Sequence, residues 1–138
     1  MNKARRQRGQ SLVEAALILP VLLLLLVGVV DLGRAMSAKI ALTNASREGA
    51  RYASRYPNQK SNIIAAVDAE LDANGLGIDT DEVEIEIVPD PSGTPAAQGA
   101  KVTVTCTYPF ETIMGGLLGV DSIEIRAATS MMVISVQN

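Results

Sequence analysis

The stretch that decides the fold is AALILPVLLLLLVGVV, residues 15–30, which carries no charged side chain. Adding Leu12 and Val13 extends it to nineteen residues, interrupted by one acid, Glu14. A helix needs about twenty apolar residues to cross a hydrocarbon core of roughly 30 Å. The pattern therefore predicts one transmembrane helix over residues 10–30, with membrane lipid as the partner of its side chains.

A basic segment precedes this helix, because residues 1–9 contain four basic residues and no acid: Lys3, Arg5, Arg6 and Arg8. Positively charged flanks remain on the cytoplasmic side of a membrane. We therefore expect a single-pass protein of the cell (inner) membrane with a cytoplasmic N-terminus and an extracytoplasmic C-terminal part. A signal peptidase site after the apolar stretch would be poor, since the charged residues Asp31 and Arg34 intervene there.

The residues around Gly9 resemble the leader of pilins, which combines basic residues, a Gly at the cut and a Glu five residues later. Glu14 is the fifth residue after Gly9. The resemblance implies that residues 1–9 are a prepilin leader and that cleavage between Gly9 and Gln10 frees the α-amine of Gln10. On a neighbouring subunit that amine would give Glu14 the partner that a carboxylate needs at the edge of an apolar core. The alternative is that Glu14 only reaches to the cytoplasmic interface.

No turn signal appears between Val30 and Pro57, so the same helix is predicted to continue as a stem over residues 31–57. Pro20 cannot donate a helical hydrogen bond, and it predicts a bend within the membrane part. Small residues recur at steps of three and four along one face of the stem, which favours close packing: Ala35, Ala38, Ala41, Ala45, Gly49 and Ala53. A second face carries the basic stripe, defined here as Arg47, Arg51 and Arg55.

Residues 58–138 are predicted to form an extracytoplasmic head. A helix should begin with Ser61 as its N-cap and end at Asn74-Gly75. Apolar and polar residues alternate over residues 82–88 and 101–108, which predicts two strands, and residues 122–136 are predicted to form a third. The predicted fold is α+β: a long N-terminal membrane-spanning helix, then a small head in which a helix packs on a three-stranded antiparallel sheet.

The connection over residues 109–120 is unusually apolar for a segment between two strands. Apolar residues are most often buried, so it is expected to cap the core of the head. The alternative is an exposed contact patch for another subunit.

Three blocks of sequence together resemble the TadE-like family: RGQSLVEAALILP at residues 8–20, GVVDLGR at 28–34 and NASREGARYA at 44–53. The family comprises minor pilins, or pseudopilins, of tight-adherence (Tad) pilus systems. The resemblance implies a role in the assembly of an adhesive pilus and processing by a prepilin peptidase. It also implies other pilins and pseudopilins of the same system as partners. Ala15 follows Glu14 where many major pilins of these systems have Tyr, which favours the minor class.

Charge is strongly segregated along the chain. Residues 31–60 hold six basic and two acidic side chains, whereas residues 61–138 hold two basic and twelve acidic ones. A basic stem and an acidic head suit each other, or another copy of the chain, more than they suit nucleic acid. We predict that the basic stripe meets the acidic face, defined as Glu82, Glu84 and Glu86, within one chain or between chains.

The composition excludes several kinds of chemistry. The chain has no His and one Cys, which excludes His-based catalysis, a Cys/His zinc site and an intrachain disulfide. The acidic residues 79–86 lack the turn Gly and the terminal Glu of a calcium loop. No nucleophile elbow or phosphate-binding loop occurs. We expect no enzyme activity, cofactor, metal or small-molecule substrate, and Cys106 should pack as a small buried side chain.

These features predict a minor pilin or pseudopilin of a Tad-type pilus. An alternative from another class is a permanently membrane-anchored extracytoplasmic accessory or binding domain that never enters a filament. A third and weaker hypothesis is a soluble domain released by signal peptidase. The first residue of the mature protein separates them, since it is Gln10 for a pilin, lies within the intact leader for an anchor, and lies near Ala38 for a secreted domain.

Overall fold

The structure, a computed structural model, describes residues 3–89, 96–119 and 122–134, without the side chains of residues 3–9, 117 and 118. It contains three helices, α1 (Lys3–Ala53), α2 (Lys60–Ala73) and the short α3 (Gly115–Leu118). Its strands are β1 (Glu84–Val88), β2 (Lys101–Glu111) and β3 (Ser122–Met132). The predicted α+β fold is confirmed.

Helix α1 runs without interruption for 51 residues. It begins at Lys3, inside the predicted leader, and ends at Ala53, a few residues before Pro57, because a proline disfavours helical backbone in the residue before it. The predicted leader and the predicted membrane segment thus share one helix as far as the structure describes them, while Met1 and Asn2 lie outside the described residues. Pro20 lies inside α1, and the bend that it predicts stays a prediction.

The sheet has the strand order β1-β2-β3, and both pairs are antiparallel. The predicted inward face of β2 is confirmed, since Val102, Val104 and Cys106 are all buried. The opposite face departs from the predicted alternation at Thr105, which is only 4% exposed. Strand β2 is longer than predicted and passes through Pro109. The missing N–H of Pro109 is tolerated because β1 begins opposite Thr107, so that from there on β2 pairs with β3 alone.

The helix that lies on the sheet is chiefly the second half of α1, which contacts β2, β3 and α2. Its predicted small-residue face is buried there, and Leu42 and Ala45 are completely inaccessible. Gly49 marks the closest approach, because a Cβ added there would lie 2.5 Å from Cγ2 of Val67 and 3.2 Å from Cγ1 of Val104. The predicted stem therefore supplies a large part of the core of the head, with α2 packed beside it.

Several predicted boundaries were wrong. Helix α2 begins at Lys60 with Gln59 as its N-cap, so Ser61 is not the cap. Its end at Asn74-Gly75 is confirmed, with Gly75 at a φ of 62° that suits glycine. Strand β1 begins only at Glu84, because the side chain of Asp79 accepts a hydrogen bond from the N–H of Asp81 and starts a 3-10 turn over Thr80–Glu82.

Two segments of the chain fall partly outside the described residues. One is the connection between β1 and β2, of which residues 90–95 lie outside them. Strand β3 ends at Met132, and of the predicted extension to Val136 the last two residues lie outside the described part of the chain. Val133 nevertheless stays buried, because it exchanges backbone hydrogen bonds with Gly99 and Ala100.

Candidate functional site

The first half of α1 presents apolar side chains on all sides. From Leu12 to Val30 its large apolar residues are exposed, apart from the half-buried Val27, with Leu12 at 74% and Leu17 at 71%. By length and composition the helix can cross a membrane. An exposed apolar surface of this extent indicates a membrane or a protein partner, and one long apolar helix near the N-terminus fits a single-pass membrane anchor.

Gln10 and Glu14 lie one turn apart on the same face of α1. Both side chains are exposed, and with Val13 and Leu17 they line a shallow depression on the helix surface. Residues four apart on a helix are neighbours on its surface. This face therefore presents the predicted cut site and the predicted assembly carboxylate together to whatever packs against it.

The bond between Gly9 and Gln10 lies inside α1. A peptidase must bind its substrate backbone in an accessible conformation, so cleavage here requires the first turns of α1 to unwind. Gly9 makes this easier, because glycine is about 1 kcal/mol less favourable than alanine in a helix interior.

The basic stripe is exposed, with Arg47 and Arg51 on α1 and Arg55 in the turn that follows it. Arg51 bonds through both Nε and Nη2 to the carboxylate of Glu48, with Nε 2.8 Å from Oε2. These hydrogen bonds lower the pKa of Glu48, against the opposing effect of burial, and the positive charges of Arg51 and Arg55 lower it further. Arg47 and Arg51 also line a groove between α1, α2 and β3, which Glu70 and Met131 border.

The acidic face is exposed on the turn before β1 and on β1 itself. Glu86 lies 3.6 Å from the guanidinium of Arg126 on β3, and both side chains are more than half exposed. Within one chain, then, Arg51 pairs with its own helix and Glu86 pairs across the sheet. The described ion pairs of these two residues do not join the basic stripe to the acidic face.

Asp31 is a functional candidate that the sequence reasoning missed. It is the first charged residue after the apolar stretch, yet it is only 8% exposed. Its carboxylate accepts hydrogen bonds from the backbone N–H groups of Ile113 at 3.1 Å and Met114 at 3.0 Å, and from Arg34 at 3.1 Å. Burial raises the pKa of Asp31, but these three donors together hold it below its ordinary value.

Asp31 thereby clips the connection between β2 and β3 onto α1. The guanidinium of Arg34 completes the clip, because it also lies over the ring of Phe110, 5.1 Å from the ring centre. The signal in the sequence was an acid followed three residues later by a base at the end of the apolar stretch. That signal predicts an ion pair within the helix, but it does not predict the hydrogen bonds of Asp31 to the distant residues Ile113 and Met114.

The remaining candidate groups are structural. Cys106 is fully buried, as predicted, and burial raises the pKa of its thiol to about 12, helped by the charge of Asp68. Among the described residues, no group of three His, Cys, Asp or Glu side chains is placed to hold a metal ion.

Residues 9–51 match the model of a family described as TadE-like protein. This match confirms the resemblance seen in the sequence, and it covers 43 of the 138 residues. The matched part runs from the predicted cut site through the apolar segment to Arg51 in the stem, and it leaves α2 and the sheet unassigned. A comparison with curated proteins found no match, and neither did a comparison with solved structures.

Proposed function

We infer from the TadE-like identity of residues 9–51 that this protein is a minor pilin, or pseudopilin, of a Tad-type adhesive pilus. In this proposal a prepilin peptidase removes residues 1–9 and leaves Gln10 as the first residue. Residues 10–30 hold the subunit in the membrane, and the stem over residues 31–57 and the head over residues 58–138 lie on the extracytoplasmic side. The observation that carries the proposal is the family match itself, because it includes Gly9, Glu14 and the exposed apolar helix in one continuous segment.

The arrangement of α1 supports this role. The same helix carries the cut site at one end and forms the core of the head at the other. A force or a contact on the N-terminal half of α1 is therefore transmitted to the head through this one continuous helix. A pilus subunit needs such a link if it is extracted from the membrane and packed with other subunits by its N-terminal helix.

Glu14 is proposed to guide that packing. Once residues 1–9 are removed, the α-amine of Gln10 on one subunit can bind the carboxylate of Glu14 on the next. Both groups would sit at the edge of the apolar core, where unpaired charge is costly. The pair would therefore favour one axial register between neighbouring helices.

The basic stripe and the acidic face are proposed to meet between subunits. Both are exposed, and they belong to different elements of the head. Because Arg51 already pairs with Glu48, it would contribute to the association of subunits through charge attraction at the rim of the contact and not through a new ion pair. Such charges act on encounter rate and register more than on affinity.

The experiment that tests the proposal compares Gly9→Val with Gly33→Val in cells that carry the pilus system. The β-branched side chain at position 9 should obstruct the cut site, so the leader should be retained, while wild type should start at Gln10. Gly33→Val makes the same chemical change on the other side of the apolar segment, where a Cβ meets nothing within 4 Å. It should be cut like wild type. Intact mass of the membrane fraction reads the result, and a leader retained in all three proteins would instead favour the permanent anchor.

A further inference from the structure

The connection between β2 and β3 is held against α1 near the end of the apolar segment. Its first residues, Ile113 and Met114, donate their backbone N–H groups to the buried carboxylate of Asp31. This contact joins positions that are 82 and 83 residues apart in the chain. The connection is therefore fixed at one height along α1.

From Asp31 the side chains of Ile113 and Met114 extend back along the apolar segment of α1. A Cβ built on Gly28 would lie 3.4 Å from the sulfur of Met114. Ile113 and Met114 also line one apolar groove with four residues of α1: Pro20, Leu23, Leu24 and Val27. At 1.5 Å of rise per residue, Leu24 lies roughly 10 Å below Asp31 along the helix axis. If residues 10–30 cross the membrane, this groove opens into its extracytoplasmic leaflet.

The surface around the groove has the character of a lipid contact. Ile113 is 59% exposed although it is apolar. Two further apolar residues, Leu32 and Ile123, are also more than half exposed, and they line one groove with Thr112. Residues 112–119, TIMGGLLG, contain no charged side chain. Arg34 stands just beyond them with half of its side chain exposed, at the height where lipid phosphates would lie.

We propose that the connection between β2 and β3 is a second membrane contact, with its apolar tip seated among acyl chains of the extracytoplasmic leaflet. Lipid is the occupant because the groove is continuous with the surface of the membrane-spanning helix. The contact fixes the tilt of the head relative to the membrane before any assembly. This inference rests on α1 crossing the membrane and is independent of the pilus role.

The test uses the full chain in vesicles of phosphatidylethanolamine and phosphatidylglycerol, with a fluorescent label on a single introduced cysteine. Cys106 is fully buried, so it should not react, and the unmodified protein controls for this. Ile113→Cys reports on the tip. Met132→Cys is the matched control, because it is a 65% exposed apolar residue at the opposite end of β3.

The label at position 113 should be quenched by nitroxide on the lipid chains and shielded several-fold from aqueous iodide, whereas the label at position 132 should show the reverse. Adding Asp31→Ala should reduce the lipid quenching at position 113, because the clip is lost. Equal iodide access at positions 113 and 132 would overturn the proposal. Shielding that disappears as protein is diluted with lipid would also overturn it, because a second copy of the chain would then be the cover.

Discussion

Gly49→Ala probes whether α1 is built into the head or is only a stalk. The added methyl group would lie 2.5 Å from Cγ2 of Val67, closer than real Cβ contacts, and 3.2 Å from Cγ1 of Val104. Overpacking a core costs about 1–3 kcal/mol, and replacing a helical glycine with alanine returns about 0.5–1 kcal/mol. When these opposing effects are combined, we expect a net destabilisation of up to about 2.5 kcal/mol.

Gly33→Ala is the matched control for this substitution. It lies on the same helix, and a Cβ there meets nothing within 4 Å. Only the gain in helix propensity remains, so this variant should be stabilised, by at most about 1 kcal/mol. The two substitutions are chemically identical, and the structure predicts effects of opposite sign.

The assay is urea-dependent alkylation of Cys106 in the full chain in detergent micelles. Cys106 is fully buried in the folded protein, so it reacts only when the head opens. With a urea dependence of about 2 kcal/mol per molar, the middle of the usual range, Gly49→Ala should lower the midpoint by up to about 1.2 M. Val67→Ala should relieve the close contact, so the double variant should be less destabilised than the sum of the two single variants. Equal stabilisation by Gly33→Ala and Gly49→Ala would refute the packing of α1 in the core.

Three further predictions concern assembly and pH. Glu14→Ala should leave cleavage and membrane insertion intact but impair assembly, because breaking a poorly solvated ion pair costs about 3–5 kcal/mol. If the variant crosslinks to other pilins as strongly as wild type does, Glu14 only reaches the cytoplasmic interface. Changing the basic stripe to Glu should weaken association with pilin partners, and changing the acidic face to Lys in the same chain should restore part of that association at low salt. Low salt is needed because exposed charges are screened within about 8 Å at physiological ionic strength. If the double change restores no association at low salt, both surfaces are only solvated faces. Burial raises the pKa of Asp68, and the charges of Asp72 and Asp81 raise it further. The contribution of Asp68 to the stability of the fold is therefore present at low pH and is lost as the pH rises through this raised pKa. Asp68→Asn should therefore raise the urea midpoint at neutral pH relative to wild type but not at acid pH, and an equal change at both would contradict this assignment.

Elements with a regular pattern could be predicted from the sequence. The apolar segment, the small-residue face of α1 and the alternation in β1 and β2 each repeat with the period of their secondary structure, so their type and their buried side follow directly. The burial of Cys106 followed from the same alternation. The end of α2 followed from Asn74-Gly75, because few residues other than glycine suit that backbone conformation.

Features that depend on contacts distant in sequence could not be predicted. The role of Asp31 needs the backbone of Ile113 and Met114, and no local pattern places those residues beside it. Strand β2 continues through Pro109 only because β1 has not yet begun on that side. Ser61 was favoured as an N-cap by residue type, yet the helix begins one residue earlier without a side-chain cap. The ion pair between Glu86 and Arg126 likewise depends on the register of strands that the sequence does not show.

The described part of this connection, residues 109–119, combines features of the two predicted alternatives, and Val120 lies outside the described residues. Phe110 is 5% exposed and lies beneath the guanidinium of Arg34, whereas Ile113 is 59% exposed. The segment therefore buries one aromatic side chain and presents an apolar tip. Its orientation follows from the hydrogen bonds to Asp31, so the sequence alone could not decide between the alternatives.

The proposed function depends most directly on the first residue of the protein in assembled pili. Pili sheared from cells and freed of membranes should contain this chain, and its N-terminal peptide should start at Gln10. The membrane fraction of cells that lack the prepilin peptidase should retain the form that begins at Met1. Recovery of the chain only from membranes, with residues 1–9 still attached in cells whose major pilin is processed, would contradict the account.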